Sequence, residues 1–235
     1  MKRPAILLAA ILIFVSPSIS AFAQPAAQPA APAQTAEAKA KSDADQEKRA
    51  ADWVASLNLT DEAKAKRVTD AVATHLKAVR DWHNDHPYTL VPEGINPLSG
   101  KALNNQDRQV IADSAMPKSV HDTLMSALRA DLSTEQVNAI LDKYTEGKVD
   151  FTMRGYYAIV PDLTAEEAKT IRGYLEEARE QAIDFKGSKL ISAIFEIYKT
   201  RSEQYLNSNG RNWKQMYKAY TDKIKAQKAA ATKPA

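Results

Sequence analysis

The chain has no cysteine. Disulfides, thiolate zinc sites, a cysteine nucleophile and a lipid-modified cysteine are therefore excluded, and the fold must be held by its core. Glycine is scarce, with seven in 235 residues. No Gly-x-x-x-x-Gly-Lys phosphate loop and no Gly-x-Ser-x-Gly elbow occurs. Neither sign of charge dominates. The formal net charge is +3, and it falls to +1 without Lys2 and Arg3, because residues 1–23 hold no acid. That balance argues against a nucleic-acid partner. Long apolar runs are also lacking. The run from Ala5 to Val15 is too short to span a bilayer, so no transmembrane anchor is expected in the mature chain.

What is present begins with that same run. Met1-Lys2-Arg3 is a short basic start, and Ala21-Phe22-Ala23 supplies small residues before Gln24. Residues 1–23 read as a secretory signal peptide cleaved after Ala23, which makes the mature protein secreted or periplasmic. Residues 24–42, with Pro25, Pro29 and Pro32, read as a disordered Ala/Pro-rich linker. Residues 43–228 form a single helical domain, long enough to bury about 70% of its unfolded surface. Residues 229–235 read as a disordered, solvated tail.

Within the domain, helix starts recur. Ser133 with Gln136 and Thr164 with Glu167 have the spacing of capping boxes, in which each side chain satisfies a backbone N–H of the other end. Leu132 and Val137 flank the first box as a hydrophobic staple. Thr60 is a weaker copy, a cap followed by two acids without a box. Val68, Val72, Leu76 and Val79 form one apolar stripe. Leu124 with Leu128, Ile171 with Leu175, and Ile194 with Ile197 continue the helical period. The long helix opened by Thr164 is expected to reach about Lys186, before Gly187. The aromatic segment Val149–Val160 has no strand partner and is expected to be helical, stopped by Pro161. The fold class is all-α, a bundle of about seven or eight helices. Asn84–Asn105 breaks the pattern with Pro87, Pro92, Pro97, Gly94 and Gly100. A loop of that length suits a functional segment.

The order of several motifs resembles a known family. The motifs are Leu57-Asn58-Leu59-Thr60-Asp61-Glu62, Trp82-His83, Leu132-Ser133-Thr134-Glu135-Gln136-Val137, Leu175-Glu176-Glu177-Ala178-Arg179-Glu180 and Tyr205-Leu206-Asn207-Ser208-Asn209-Gly210, behind an export signal. Together they are similar to the uncharacterised secreted bacterial proteins of domain of unknown function 3826. The resemblance implies an exported bacterial helical protein and implies no activity. Leu132 to Gln136 is also similar to the Leu-Thr-x-x-Gln helix starts of periplasmic proteins of the Spy and CpxP kind.

Candidate chemistry is sparse. His83 and His86 stand at i, i+3 with Asp85 between them. On a persisting helix both imidazoles could face one divalent cation, with the carboxylate as third ligand. The other reading is a polar helix end whose histidines meet the C-terminal dipole. Glu166, Glu167, Glu176, Glu177 and Glu180 share a helix with Lys169, Arg172 and Arg179, the pattern of a salt-bridged solvated face. Ser119 and His121 are close in sequence, which is not triad geometry. Trp213, Tyr217 and Tyr220 could be core or a surface strip able to stack on sugars or clamp peptides. No catalytic residue and no cofactor is assigned, apart from a possible divalent metal. The expectation is a non-catalytic binding or accessory protein of the bacterial cell envelope, with a polypeptide or carbohydrate partner. The alternatives are a periplasmic chaperone or stress sensor of the Spy kind, and a metal-dependent hydrolase using His83, Asp85 and His86.

Overall fold

The computed structural model describes residues 35–97 and 100–231. The signal peptide read at 1–23, most of the linker and residues 232–235 lie outside the described residues. Among the described residues the chain is all-helical, with nine α-helices, a 3₁₀ turn and one isolated β-bridge between Ile95 and Ala102. The helices are α1 (Ala36–Ala55), α2 (Glu62–Asp85), α3 (Asn105–Ser114), α4 (Lys118–Asp131), α5 (Thr134–Tyr144), α6 (Lys148–Ile159), α7 (Ala165–Ala182), α8 (Gly187–Ser208) and α9 (Trp213–Ala231).

The count is nine where seven or eight helices were expected, and α1 accounts for the difference. Composition placed residues 36–42 in the linker, yet the last proline there is Pro32, and Ala36–Ala55 holds neither proline nor glycine. Ala, Lys and Glu are strong helix formers. Pairs of Lys39 with Asp43 and Lys48 with Asp52 run along the helix at i, i+4. The decisive contact is tertiary. The buried Arg80 of α2 donates to Ser42 at 2.9 Å and to Asp43 at 2.5 Å, tying the start of α1 to the bundle. At the other end α9 continues to Ala231, into the segment read as tail.

The capping boxes of α5 and α7 form as expected. Ser133 and Gln136 exchange hydrogen bonds, as do Thr164 and Glu167. Leu132 and Val137, the expected staple, are both buried. At α2 the cap is Asp61 rather than Thr60. Its carboxylate accepts from the Lys64 N–H at 2.9 Å, the stronger acceptor taking the position. α5 ends at Tyr144, ahead of the left-handed Glu146 and of Gly147, whose N–H donates back to the Asp142 carbonyl and whose φ of 65° is accessible to glycine without a Cβ penalty. The segment Lys148–Ile159 is helical, as expected from its lack of a partner strand.

The buried side chains form two clusters. One gathers Ala50 and Val54 of α1, Val68 and Val72 of α2, Leu124 and Leu128 of α4, and Ile140 and Leu141 of α5. The other gathers Met153 of α6, Ile171 and Leu175 of α7, and Ile194 and Leu206 of α8, with Trp213 and Met216 of α9 packed against it. The turn between α7 and α8 serves both. Ile183 belongs to the first cluster and Phe185 to the second. Between them stands Asp184.

Candidate functional sites

The helix opened by Thr164 ends at Ala182, short of Lys186, and this places Asp184 in a turn instead of on a helix face. Two helices meet its carboxylate there. His75 Nε2 of α2 lies 3.0 Å from one oxygen, and His121 Nδ1 of α4 lies 2.8 Å from the other. Behind His75, whose side chain is buried, the Tyr144 hydroxyl stands 3.2 Å from Nδ1. On the outer side His121 Nε2 is 3.7 Å from Glu180, which accepts from Arg129 at 3.0 Å. Burial alone would raise the Asp184 pKa, but the hydrogen bonds from His121 and His75 outweigh it and hold the carboxyl below its ordinary value. The hydrogen bond to Asp184 correspondingly raises His121.

His121 and Asp184 open on a cleft of about 900 Å³, also lined by Asp113, Glu176, Glu177 and Arg179. The charges of this cleft are largely satisfied within the protein. Asp113 takes His83 and Gln109, Glu177 takes Arg201, and Arg179 donates to Asp142 and Asn138. The acidic face read from the sequence of α7 is salt-bridged in part, Glu177 to Arg201 and Glu180 to Arg129 of other helices, but it is not wholly solvated, since Glu167 and Arg179 are buried. Asp184 was missed. Its signal was an acid at the C-terminal end of a helix, where the dipole disfavours it unless cations stand by.

The expected metal set is not assembled. His83 Nδ1 bonds Asp113 at 2.8 Å, whereas His86 Nδ1 bonds the Trp82 carbonyl at 2.9 Å. The His86 ring stacks on the Trp82 indole at 3.6 Å between centroids. The reason is local. His86 caps α2 with φ −122° and ψ 66°, so the i, i+3 relation of a continuous helix no longer holds. Asp85 is exposed. Among the described residues no three His, Asp or Glu side chains are grouped so as to hold a metal ion.

The start of the irregular segment is pinned to α3. Gln109 accepts from the Tyr88 N–H and donates to the His86 carbonyl, and Arg108 donates twice to the Val91 carbonyl. The described residues of the segment 84–105 contribute to neither the cleft nor the groove described next.

That groove, of about 730 Å³, lies between α6, α8 and α9. Phe151, Tyr156, Trp213, Tyr217 and Tyr220 line it, so the aromatics of α9 are split between core and surface. Trp213 is half-buried against Tyr156, with centroids 5.3 Å apart, and near-parallel to Tyr217 at 6.0 Å. Phe151 is 69% exposed and Tyr217 49%.

The family described as Protein of unknown function (DUF3826) matches residues 43–226. The chain belongs to this family. The match takes in α2 to α8 entire, and with them the Asp184 turn, the cleft and the α6 and α8 walls of the groove. The resemblance read from the scattered motifs is thus a family membership, and DUF3826 carries no assigned activity. A comparison with curated proteins finds no match.

Proposed function

We propose that this protein is an exported, non-catalytic binding protein of the bacterial cell envelope, and that the groove between α6, α8 and α9 is its ligand seat. One observation carries the reading. The groove leaves aromatic faces toward solvent, Phe151 and Tyr217 above all, while the larger cleft has its ionic groups paired internally. A preformed site with aromatic walls and a few polar groups is the ordinary form of a ligand seat. The basic start, the apolar run and the small residues of Ala21-Phe22-Ala23 support export.

The test is co-sedimentation with an insoluble envelope fraction from the native host. The wild-type protein is expected in the pellet, with an N-terminus at Gln24 by mass spectrometry. The Phe151→Ala/Tyr217→Ala double variant should stay in the supernatant. Equal sedimentation of the two would remove the groove as the seat.

A second reading, a periplasmic chaperone, draws support from the exposure of Phe151 and Ile197, 69% and 54%. It requires suppression of aggregation of an unfolded client at stoichiometric ratios. Failure there leaves the first reading.

A further inference from the structure

We infer that the occupant of the α6/α8/α9 groove is a neutral, β-1,4-linked pyranose chain. The inference rests on the binding reading above and names its ligand class. Three observations lead to it.

The first is an aromatic pair. Trp213 and Tyr217 are one helical turn apart on α9 and stack on each other, with centroids 6.0 Å apart and ring planes 27° apart. Trp213 is held by Tyr156, which is buried and donates its hydroxyl to the Lys199 carbonyl at 3.3 Å. The Trp213 ring is thus set before any ligand arrives, which reduces the ordering entropy lost on binding. A β-1,4-linked chain is a flat ribbon that presents C–H faces to such rings, and aromatic faces carry the negative side of the quadrupole that attracts them. An α-1,4-linked chain coils, so its successive rings do not keep one flat face.

The second is charge. Arg154 and Lys199 face Glu196 and Glu203 around the groove, so the four cancel. Lys199 is paired with Glu196 at 2.7 Å, and Arg154 lies over the Phe151 ring at 5.9 Å. Neither a polyanion nor a basic peptide is favoured by such a balance.

The third is Glu203. It is half-buried and makes no hydrogen bond or ion pair among the described residues. A carboxylate held this way accepts from two neighbouring hydroxyls of a sugar ring, an arrangement that satisfies its oxygens without a cation. A polypeptide is served less well. The walls are helices whose backbone groups are used internally, so no strand edge is offered. The α8 wall also carries Glu196, Lys199 and Glu203 where an amphipathic helix would need an apolar floor.

The experiment titrates the full-length mature chain with cellohexaose, xylohexaose and mannohexaose, followed by calorimetry and tryptophan fluorescence. Maltohexaose, oligogalacturonate and a reduced, carboxymethylated α-lactalbumin serve as the α-linked, anionic and polypeptide probes. At least one neutral β-1,4 hexasaccharide should bind and shift the tryptophan emission. Tyr217→Ala should weaken it about tenfold, the loss of one stacking contact, and Glu203→Gln several-fold. Both variants should melt as the wild type does, since Tyr217 is exposed and Glu203 unpaired. Binding of the polypeptide probe alone, sensitive to Tyr217→Ala, would overturn the saccharide and keep the groove as a seat. Binding of maltohexaose or oligogalacturonate at equal strength would overturn the ligand class. No binding by any probe, with no effect of Tyr217→Ala on envelope co-sedimentation, would overturn both readings.

Discussion

His75 and His121, from different helices, donate to opposite oxygens of one carboxylate, that of Asp184. Neither histidine touches the other in sequence or helix, and the acid between them sits in the turn that joins α7 to α8. Stability should therefore follow the titration of this cluster. His121 has its pKa raised above the ordinary 6.5 by Asp184. A raised pKa contributes stability that is complete below 6.5 and is lost as pH climbs through the folded value. Asp184 is held below the ordinary 3.8, so its contribution is present above that value and is lost on acidification. Thermal melts should show a plateau between these limits and a decline on the alkaline side. His121→Asn keeps a donor toward Asp184 but cannot titrate, and should flatten the alkaline decline. An unchanged slope in that variant would show that other groups set it.

Asp184→Ala should be severe. It strands the buried His75 without its acceptor and removes the partner of His121. Leaving a buried donor without its acceptor costs about 1–3 kcal/mol, which corresponds to a fall of roughly 2–12 °C in Tm for a chain of this size. Urea unfolding would measure it directly.

Arg211, in the turn between α8 and α9, should prove important for stability. It donates to both oxygens of Glu167, at 2.7 and 2.8 Å, and to the Asp162 carbonyl. The Arg211 hydrogen bonds hold the Glu167 carboxyl down at about 2. Glu167 thus serves the cap of α7 and anchors the link between α8 and α9 at once. Arg211→Ala is expected to cost about 2 kcal/mol, the worth of a charge-assisted pair. The pKa of Glu167, followed by NMR, should return toward the ordinary 4.5. The stability that the wild type loses as pH falls from 4.5 toward about 2 would then be missing at every pH, so the acid decline of the variant should be shallower.

The groove and the core should separate cleanly by mutation. Ile194→Ala, fully buried in the second cluster, should cost about 2–5 kcal/mol. Tyr217→Ala, half exposed, should change stability by no more than about 0.5 kcal/mol. A large loss in Tyr217→Ala would mean that the ring serves packing rather than a ligand.

Much of the fold was legible because its signals are local. Ser133 with Gln136 and Thr164 with Glu167 act within one turn of helix, so the sequence carries them whole. The Asp184 cluster was not legible. Its pairs are 109 and 63 residues apart, and the site exists only because α7 stops at Ala182. The apolar period continues through Phe185, so the pattern alone extends the helix past that break. His83 and His86 failed in the opposite way. Their spacing was read on a helix that ends between them, and spacing has no meaning once the backbone leaves the helical region. The α9 aromatics were seen in sequence, but which of them face outward depends on how α6 and α8 cover them.

Ile183 and Phe185, one residue either side of Asp184, are plugged into different clusters. The turn is therefore a rivet through both halves of the bundle. A cut between α7 and α8 leaves Ile183 with its own cluster but parts Phe185 and α8 from α6 and α7, so the second cluster should not form in either piece alone. The same rivet should couple the melting of the two clusters, and a circular permutant opened at the α7–α8 junction should be poorly tolerated.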